Sequence, residues 1–124
     1  MKVKGLLESK GKEIVSIDAD SSVEDAIRLM HSKKVSAVLV NEREKTVGIF
    51  TERDVVRSYV SKNGKKFREI QLKDAMTSDL ITAGQDDNVG DIMTIMVRNN
   101  IRHLPVMENG SVIGMLSIRD VIGL

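Results

Sequence analysis

Apolar residues along the chain follow two alternating rhythms. Val23, Ala26, Ile27 and Met30 recur at helical spacing, as do Val89, Ile92, Met93 and Met96, so each set predicts one buried helix face with its methionines as core filler. Ser22 and Asn88 precede these faces as N-caps. Asp25 and Asp91 stand three positions on, in the pattern of a capping box. Runs rich in β-branched residues follow at Val35–Asn41 and Ile101–Met107, and further strands are predicted at Thr46–Phe50 and Val112–Leu116. Between them lie the polar turns Glu42-Arg43-Glu44-Lys45 and Glu108-Asn109-Gly110-Ser111, the second carrying the Asn-Gly signal of a hairpin. With short strands at Glu13–Ile17 and Asp79–Ala83 and a second helix starting at Thr51 or Ser117, each half reads β-α-β-β-α. That alternation predicts an α/β fold, or α+β layering.

The halves are copies. A shift of 66 positions aligns residues 15–56 with 81–122 without a gap, and ten of the 42 pairs are identical, among them Gly48/Gly114, Arg53/Arg119 and Asp54/Asp120. Chance would supply two or three, so the chain contains two copies of one supersecondary unit. The expected division is a single module, with repeat 1 at about 3–60, a linker at about 61–71 and repeat 2 at about 72–124. Asn63-Gly64 is expected to turn, the four lysines between 62 and 73 to mark a solvated connection, and the residues near Glu8–Lys12 to form a looser lead into the first strand.

Composition narrows the function classes. The chain has 124 residues, enough for one compact domain, and a net charge of +1 from 19 basic and 18 acidic side chains. This gives no broad field for nucleic acid or an acidic membrane. Cysteine is absent, which excludes disulfides and thiolate metal sites. Phe50, Tyr59 and Phe67 are the aromatics, too few for a base-stacking platform. No apolar run is long enough for a membrane span and no signal-peptide core is visible, so a cytoplasmic location is expected. The two histidines, His31 on the charged side of a helix and His103, fit no metal or catalytic spacing, and no nucleophile elbow or P-loop is present. A non-enzyme without catalytic cofactor is therefore expected.

Candidate chemistry lies in Gly48-Ile49-Phe50-Thr51-Glu52-Arg53-Asp54-Val55 and Gly114-Met115-Leu116-Ser117-Ile118-Arg119-Asp120-Val121. Thr-x-x-Asp and Ser-x-x-Asp can be simple capping boxes. The same geometry can also present backbone N–H groups and a hydroxyl to phosphate, with the aspartate one turn in and able to accept two hydrogen bonds from a ribose diol. Gly48 and Gly114 leave room for close approach of backbone or ligand.

The ordered set of these segments with Ser22-Val23-Glu24-Asp25-Ala26 and Ile101-Arg102-His103-Leu104-Pro105-Val106 resembles the cystathionine β-synthase (CBS) domain family, as a stand-alone tandem pair or Bateman module. The resemblance implies two repeats packed through their sheets about a pseudo-twofold axis. It also implies clefts for AMP, ADP or ATP, or alternatively S-adenosylmethionine. It assigns Asp54 and Asp120 to the ribose, and Thr51 and Ser117 to ribose or phosphate. By the same resemblance Ser16, Ile17, Thr82 and Ala83 are expected to flank the base, and Arg102 and His103 to lie near a ligand phosphate. Arg102 is equally read as a surface ion-pair former and His103 as a packed, hydrogen-bonded histidine. Arg53 and Arg119 either meet phosphate or are exposed, and Pro105, counted with the ligand set, is expected to end or edge a strand. Because repeat 1 has Ser36-Ala37-Val38-Leu39 in place of Arg102-His103-Leu104-Pro105, unequal occupancy is expected, with tighter binding at Asp120. The resemblance further implies a homodimer that signals by conformational change to a separate regulated protein. The alternatives are a ligand-independent interaction scaffold or a nucleic-acid binder. The residues name neither the ligand nor the partner.

Overall fold

The computed structural model describes residues 1–11, 13–63 and 65–123; Gly64 of the expected Asn63-Gly64 turn and Lys12 lie outside them. The elements run α1 (Val3–Lys10), β1 (Ser16–Asp18), α2 (Val23–Lys33), β2 (Ala37–Glu42), β3 (Lys45–Thr51) and α3 (Glu52–Ser61). Two 3-10 turns follow, at Phe67–Glu69 and Leu72–Asp74. Then come β4 (Ala83–Gly84), α4 (Val89–Asn99), β5 (His103–Glu108), β6 (Ser111–Ser117) and α5 (Ile118–Ile122). The fold is mixed α and β, with two three-stranded sheets ordered β1-β2-β3 and β4-β5-β6. In each sheet the outer strand pairs parallel and the hairpin antiparallel.

The chain divides into two compact units, one of Val15–Asp79 and one of Met1–Ile14 with Leu80–Leu124. These are called the first and second units below. Each contains the segment that leads into the other's first strand.

In the first unit the core joins Val23, Ala26 and Met30 of α2 to Val38, Val40 and Phe50 of the hairpin. Ser22 accepts from the Asp25 N–H at 3.0 Å while Asp25 accepts from the Ser22 N–H at 3.1 Å, the capping box expected there. Residues 65–75 are not a purely solvated connection. Ile70, Leu72 and Ala75 enter this core. Backbone bonds from Val23 N–H to the Ile70 carbonyl and from Leu72 N–H to the Ser21 carbonyl, each 2.8 Å, fix them. Lys65, Lys66 and Lys73 remain exposed.

In the second unit the N-terminal lead is a helix rather than a loose segment. Val3, Leu6 and Leu7 occupy one α1 face and are buried with Ile92, Met96, Leu104, Val106 and Leu116. Burial of an i, i+3, i+4 triplet supplies the stability that a helix this short lacks alone. Asn88 caps α4 by accepting from the Gly90 N–H at 2.8 Å; Asp91 does not complete a capping box as its position suggests.

Pro105 lies inside β5, opposite Met115 of β6, rather than at a strand end. Its counterpart Leu39 donates its N–H to the Val15 carbonyl at 2.9 Å. Proline has no such donor, and β4 accordingly starts one register position later than β1, at Ala83 paired with Val106; the strand expected over Asp79–Ala83 is confined to Ala83–Gly84. Both hairpins close in two-residue turns with positive φ: Arg43 at 52° and Glu44 at 65°, Asn109 at 50° and Gly110 at 80°. That is the twist-matched hairpin geometry.

Candidate functional site

Each unit places an aspartate one turn into the helix that follows its hairpin. In the first unit, Thr51 ends β3 and its N–H donates to Asp54 Oδ2 at 2.9 Å. Asp54 Oδ1 accepts from Thr77 Oγ1 at 3.0 Å and from Arg57 Nη2. Arg57 Nη2 also reaches the Ala75 carbonyl at 3.2 Å. The Asp54 side chain is 3% exposed, so both carboxylate oxygens are enclosed by protein donors. The segment supplying Thr77 is held against β3 by paired Ile49 and Thr77 backbone bonds of 2.9 Å. Gly48 permits this approach, because a Cβ there would lie 2.9 Å from the Thr77 carbonyl oxygen.

In the second unit, Ser117 N–H donates to Asp120 Oδ2 at 2.8 Å, and Asp120 N–H donates to Ser117 Oγ at 3.1 Å. Lys10 Nζ donates to the same Oδ2 and to the Met115 carbonyl, each at 2.6 Å. Asp120 Oδ1 has no hydrogen-bond partner among the described residues, and the side chain is 22% exposed. Burial alone would raise the Asp120 pKa. The Lys10 hydrogen bond and charge, with the Ser117 N–H and hydroxyl, outweigh it and hold the carboxyl below its ordinary value.

The other sequence candidates are dispersed around these entrances. Ser16 and Ile17 pair with Leu39 and Val40 across β1-β2, and Leu39 in turn pairs with Ile49. A ligand touching both Ser16 and Thr51 must therefore extend across three strands, about 10 Å. Ala83 is buried in β4 and Thr82 is exposed just before it. His103 pairs with Ser117 across β5-β6. The Arg102 carbonyl accepts the Ile118 N–H at 2.7 Å, so both flank the α5 start. The Arg102 side chain is exposed, as are Arg53 and Arg119; Pro105 is buried. Sequence reasoning missed Lys10, Arg57 and Thr77. Only Arg57, three residues after Asp54 on a helix, had a local signal. His31 is exposed as expected. Among the described residues no group of three or more His, Cys, Asp and Glu could hold a metal ion, and no helix is long and apolar enough to cross a membrane.

The family model described as CBS domain matches residues 10–61 and again 72–124. The chain belongs to the CBS domain family. As a CBS tandem pair it is similar to a crystal structure of a CBS-domain-containing protein from Agrobacterium tumefaciens, with TM-score 0.94 and 34% identity over 99% of this chain and 98% of that one. Among curated proteins it is 34% identical over 110 residues to an uncharacterized protein of Methanopyrus kandleri, covering 88% of this chain and 56% of that protein. It is 37% identical over 111 residues to an inosine-5'-monophosphate dehydrogenase of Korarchaeum cryptofilum, covering 89% of this chain and 22% of that enzyme. The chain thus spans about half the length of one curated relative and a fifth of the other. CBS tandem modules are generally regulatory and ligand-binding.

Proposed function

We propose that this CBS pair is a non-catalytic sensor that binds an adenosine-containing ligand, AMP, ADP or ATP, and regulates a separate protein by conformational change. The observation that carries this reading is the Asp120 carboxylate. Its pKa is held below the ordinary value, it is part-exposed, and its Oδ1 accepts no hydrogen bond among the described residues. The Ser117 hydroxyl, His103 and Arg102 stand beside the same helix start. A carboxylate accepts two hydroxyl donors, and Arg102 supplies the planar fork that suits phosphate. Asp54 is the weaker site in this reading, since both of its oxygens already hold protein donors and its side chain is 3% exposed against 22% for Asp120.

Isothermal titration with AMP, ATP and S-adenosylmethionine tests the proposal. Saturable binding of an adenine nucleotide, weakened about tenfold or more in Asp120→Ala and retained in Asp54→Asn, is the expected result. Binding of S-adenosylmethionine alone would redirect the ligand assignment. Failure of all three would leave the second reading, a ligand-independent scaffold. That reading draws support from Val56, Tyr59 and Val60, which form an exposed apolar stripe on α3 suited to a second copy of the chain. Light scattering at several concentrations measures that association.

A further inference from the structure

We infer that Lys10 is a ligand-displaced tether, so that filling the Asp120 site frees the end of α1 and alters the chain segment that leads into the first unit. This rests on the nucleotide reading above and deepens it to a mode of regulation. The two ends of α1 are held differently. Val3 N–H donates to the Asp87 carbonyl and Lys4 N–H to the Gln85 carbonyl, each at 2.9 Å, and Val3, Leu6 and Leu7 are buried. Beyond Leu7, the bonds from described side chains are Ser9 Oγ to the Leu6 carbonyl, within the helix, and the two made by Lys10 Nζ. Beyond Leu7, which packs against Gly114 of β6, Lys10 is thus the polar attachment of the α1 end to the β6–α5 corner.

That attachment uses the carboxylate oxygen a diol needs. Asp120 Oδ2 already accepts the Ser117 N–H at 2.8 Å and the Lys10 ammonium at 2.6 Å, while Oδ1 accepts no hydrogen bond among the described residues. Two vicinal hydroxyls spread over both oxygens would bring a third donor to Oδ2, more than its lone pairs accommodate. The Ser117 N–H is fixed by the helix start, so the flexible ammonium leaves. Lys10 and Asp120 side chains are 29% and 22% exposed, and the displaced ammonium recovers its hydration. Four residues separate Lys10 from Val15, the first residue of the first unit. Release of Lys10 therefore acts on the covalent lead into β1. The first unit has no equivalent lysine: position 76, 66 residues on, is Met76.

The test compares the full chain with Lys10→Met, which keeps the aliphatic stem and removes the charge. AMP is titrated into both by calorimetry, and amide hydrogen exchange is followed with and without saturating AMP. The expected result is about 2–5-fold tighter AMP binding by Lys10→Met, since a competing part-exposed ion pair is gone. Exchange at the last α1 turn and Gly11 should rise in the wild type on adding AMP, and should already be high in Lys10→Met without it. Weaker binding by Lys10→Met would make Lys10 a ligand contact and overturn the tether. Equal binding, or AMP binding without change in α1 exchange, would overturn it too while leaving the nucleotide reading intact. No AMP binding by either protein would remove both.

Discussion

Leu7 packs against Gly114 so closely that a Cβ at position 114 would lie 2.8 Å from the Leu7 Cδ2. Gly48 is constrained by different neighbours: a Cβ there would lie 2.5 Å from the Met76 Sδ, the end of a flexible side chain, and 2.9 Å from the Thr77 carbonyl oxygen. A leucine methyl can rotate away; a paired backbone carbonyl cannot. Gly114→Ala is expected to destabilise by about 1 kcal/mol and Gly48→Ala by about 2–3 kcal/mol. Urea midpoints at constant m-value measure both. The ranking is the claim, and Gly114→Ala proving the costlier change would refute it.

The two aspartates should separate stability from binding. Asp54→Ala strands Thr77 Oγ1 and the Thr51 N–H without their acceptor. We expect a loss of about 2–3 kcal/mol, with Arg57 adding little because its side chain is 58% exposed. Asp120→Ala should cost under about 1 kcal/mol of stability. It should weaken nucleotide binding about tenfold or more. Thermal melts beside calorimetry decide this. An Asp120→Ala protein that binds AMP normally would count against the site.

Acid should weaken the second unit through Asp120. Its folded-state pKa is depressed below 3.8, so the carboxylate's contribution to stability is complete above the unfolded value. It is lost as pH falls through the folded value. Burial, which opposes ionisation, is still present in Lys10→Met, where the partner charge is gone. The side-chain carboxyl carbon of Asp120, followed by NMR, should titrate at a higher pH in that variant than in the wild type. Coincident titration curves would show that Lys10 does not hold the carboxylate ionised.

The first hairpin turn carries an avoidable strain. Arg43 and Glu44 adopt φ of 52° and 65°, where the second repeat has Asn109-Gly110. Side chains with a Cβ are disfavoured there. Arg43→Asn with Glu44→Gly is expected to stabilise the protein by about 1 kcal/mol without changing nucleotide affinity. Denaturant melts and titration of the double variant check both halves of that statement.

Helix faces and hairpins were legible because their periodicity is local. Val23, Ala26 and Met30, or Asn109-Gly110, announce themselves within a few residues. The capping-box aspartates Asp25, Asp54 and Asp120 were legible for the same reason, and the 66-residue repeat made each half corroborate the other except at Asp91, where Asn88 caps through the Gly90 N–H instead. What escaped depends on distant partners. Val3, Leu6 and Leu7 form a helical face, but its capping residue Lys2 makes no side-chain cap bond and its burying surface lies some 80–110 residues away. Ile70 and Leu72 looked like part of a lysine-rich connection until the α2 core claimed them. The donors on the carboxylates escaped likewise, with Thr77 lying 23 residues from Asp54 and Lys10 110 residues from Asp120. Pro105 signalled a missing N–H, but only the β4 register shows which pairing it shortens.

The exchange of leading segments between the units sets which pieces of the polypeptide can stand by themselves. A fragment of residues 15–79 keeps every member of its core cluster. A fragment beginning at the second repeat forfeits Val3, Leu6 and Leu7, and with them the lysine that faces Asp120. Trimming the amino terminus would therefore injure the far half of the molecule first, so a deletion mapped only by sequence proximity would be blamed on the wrong repeat.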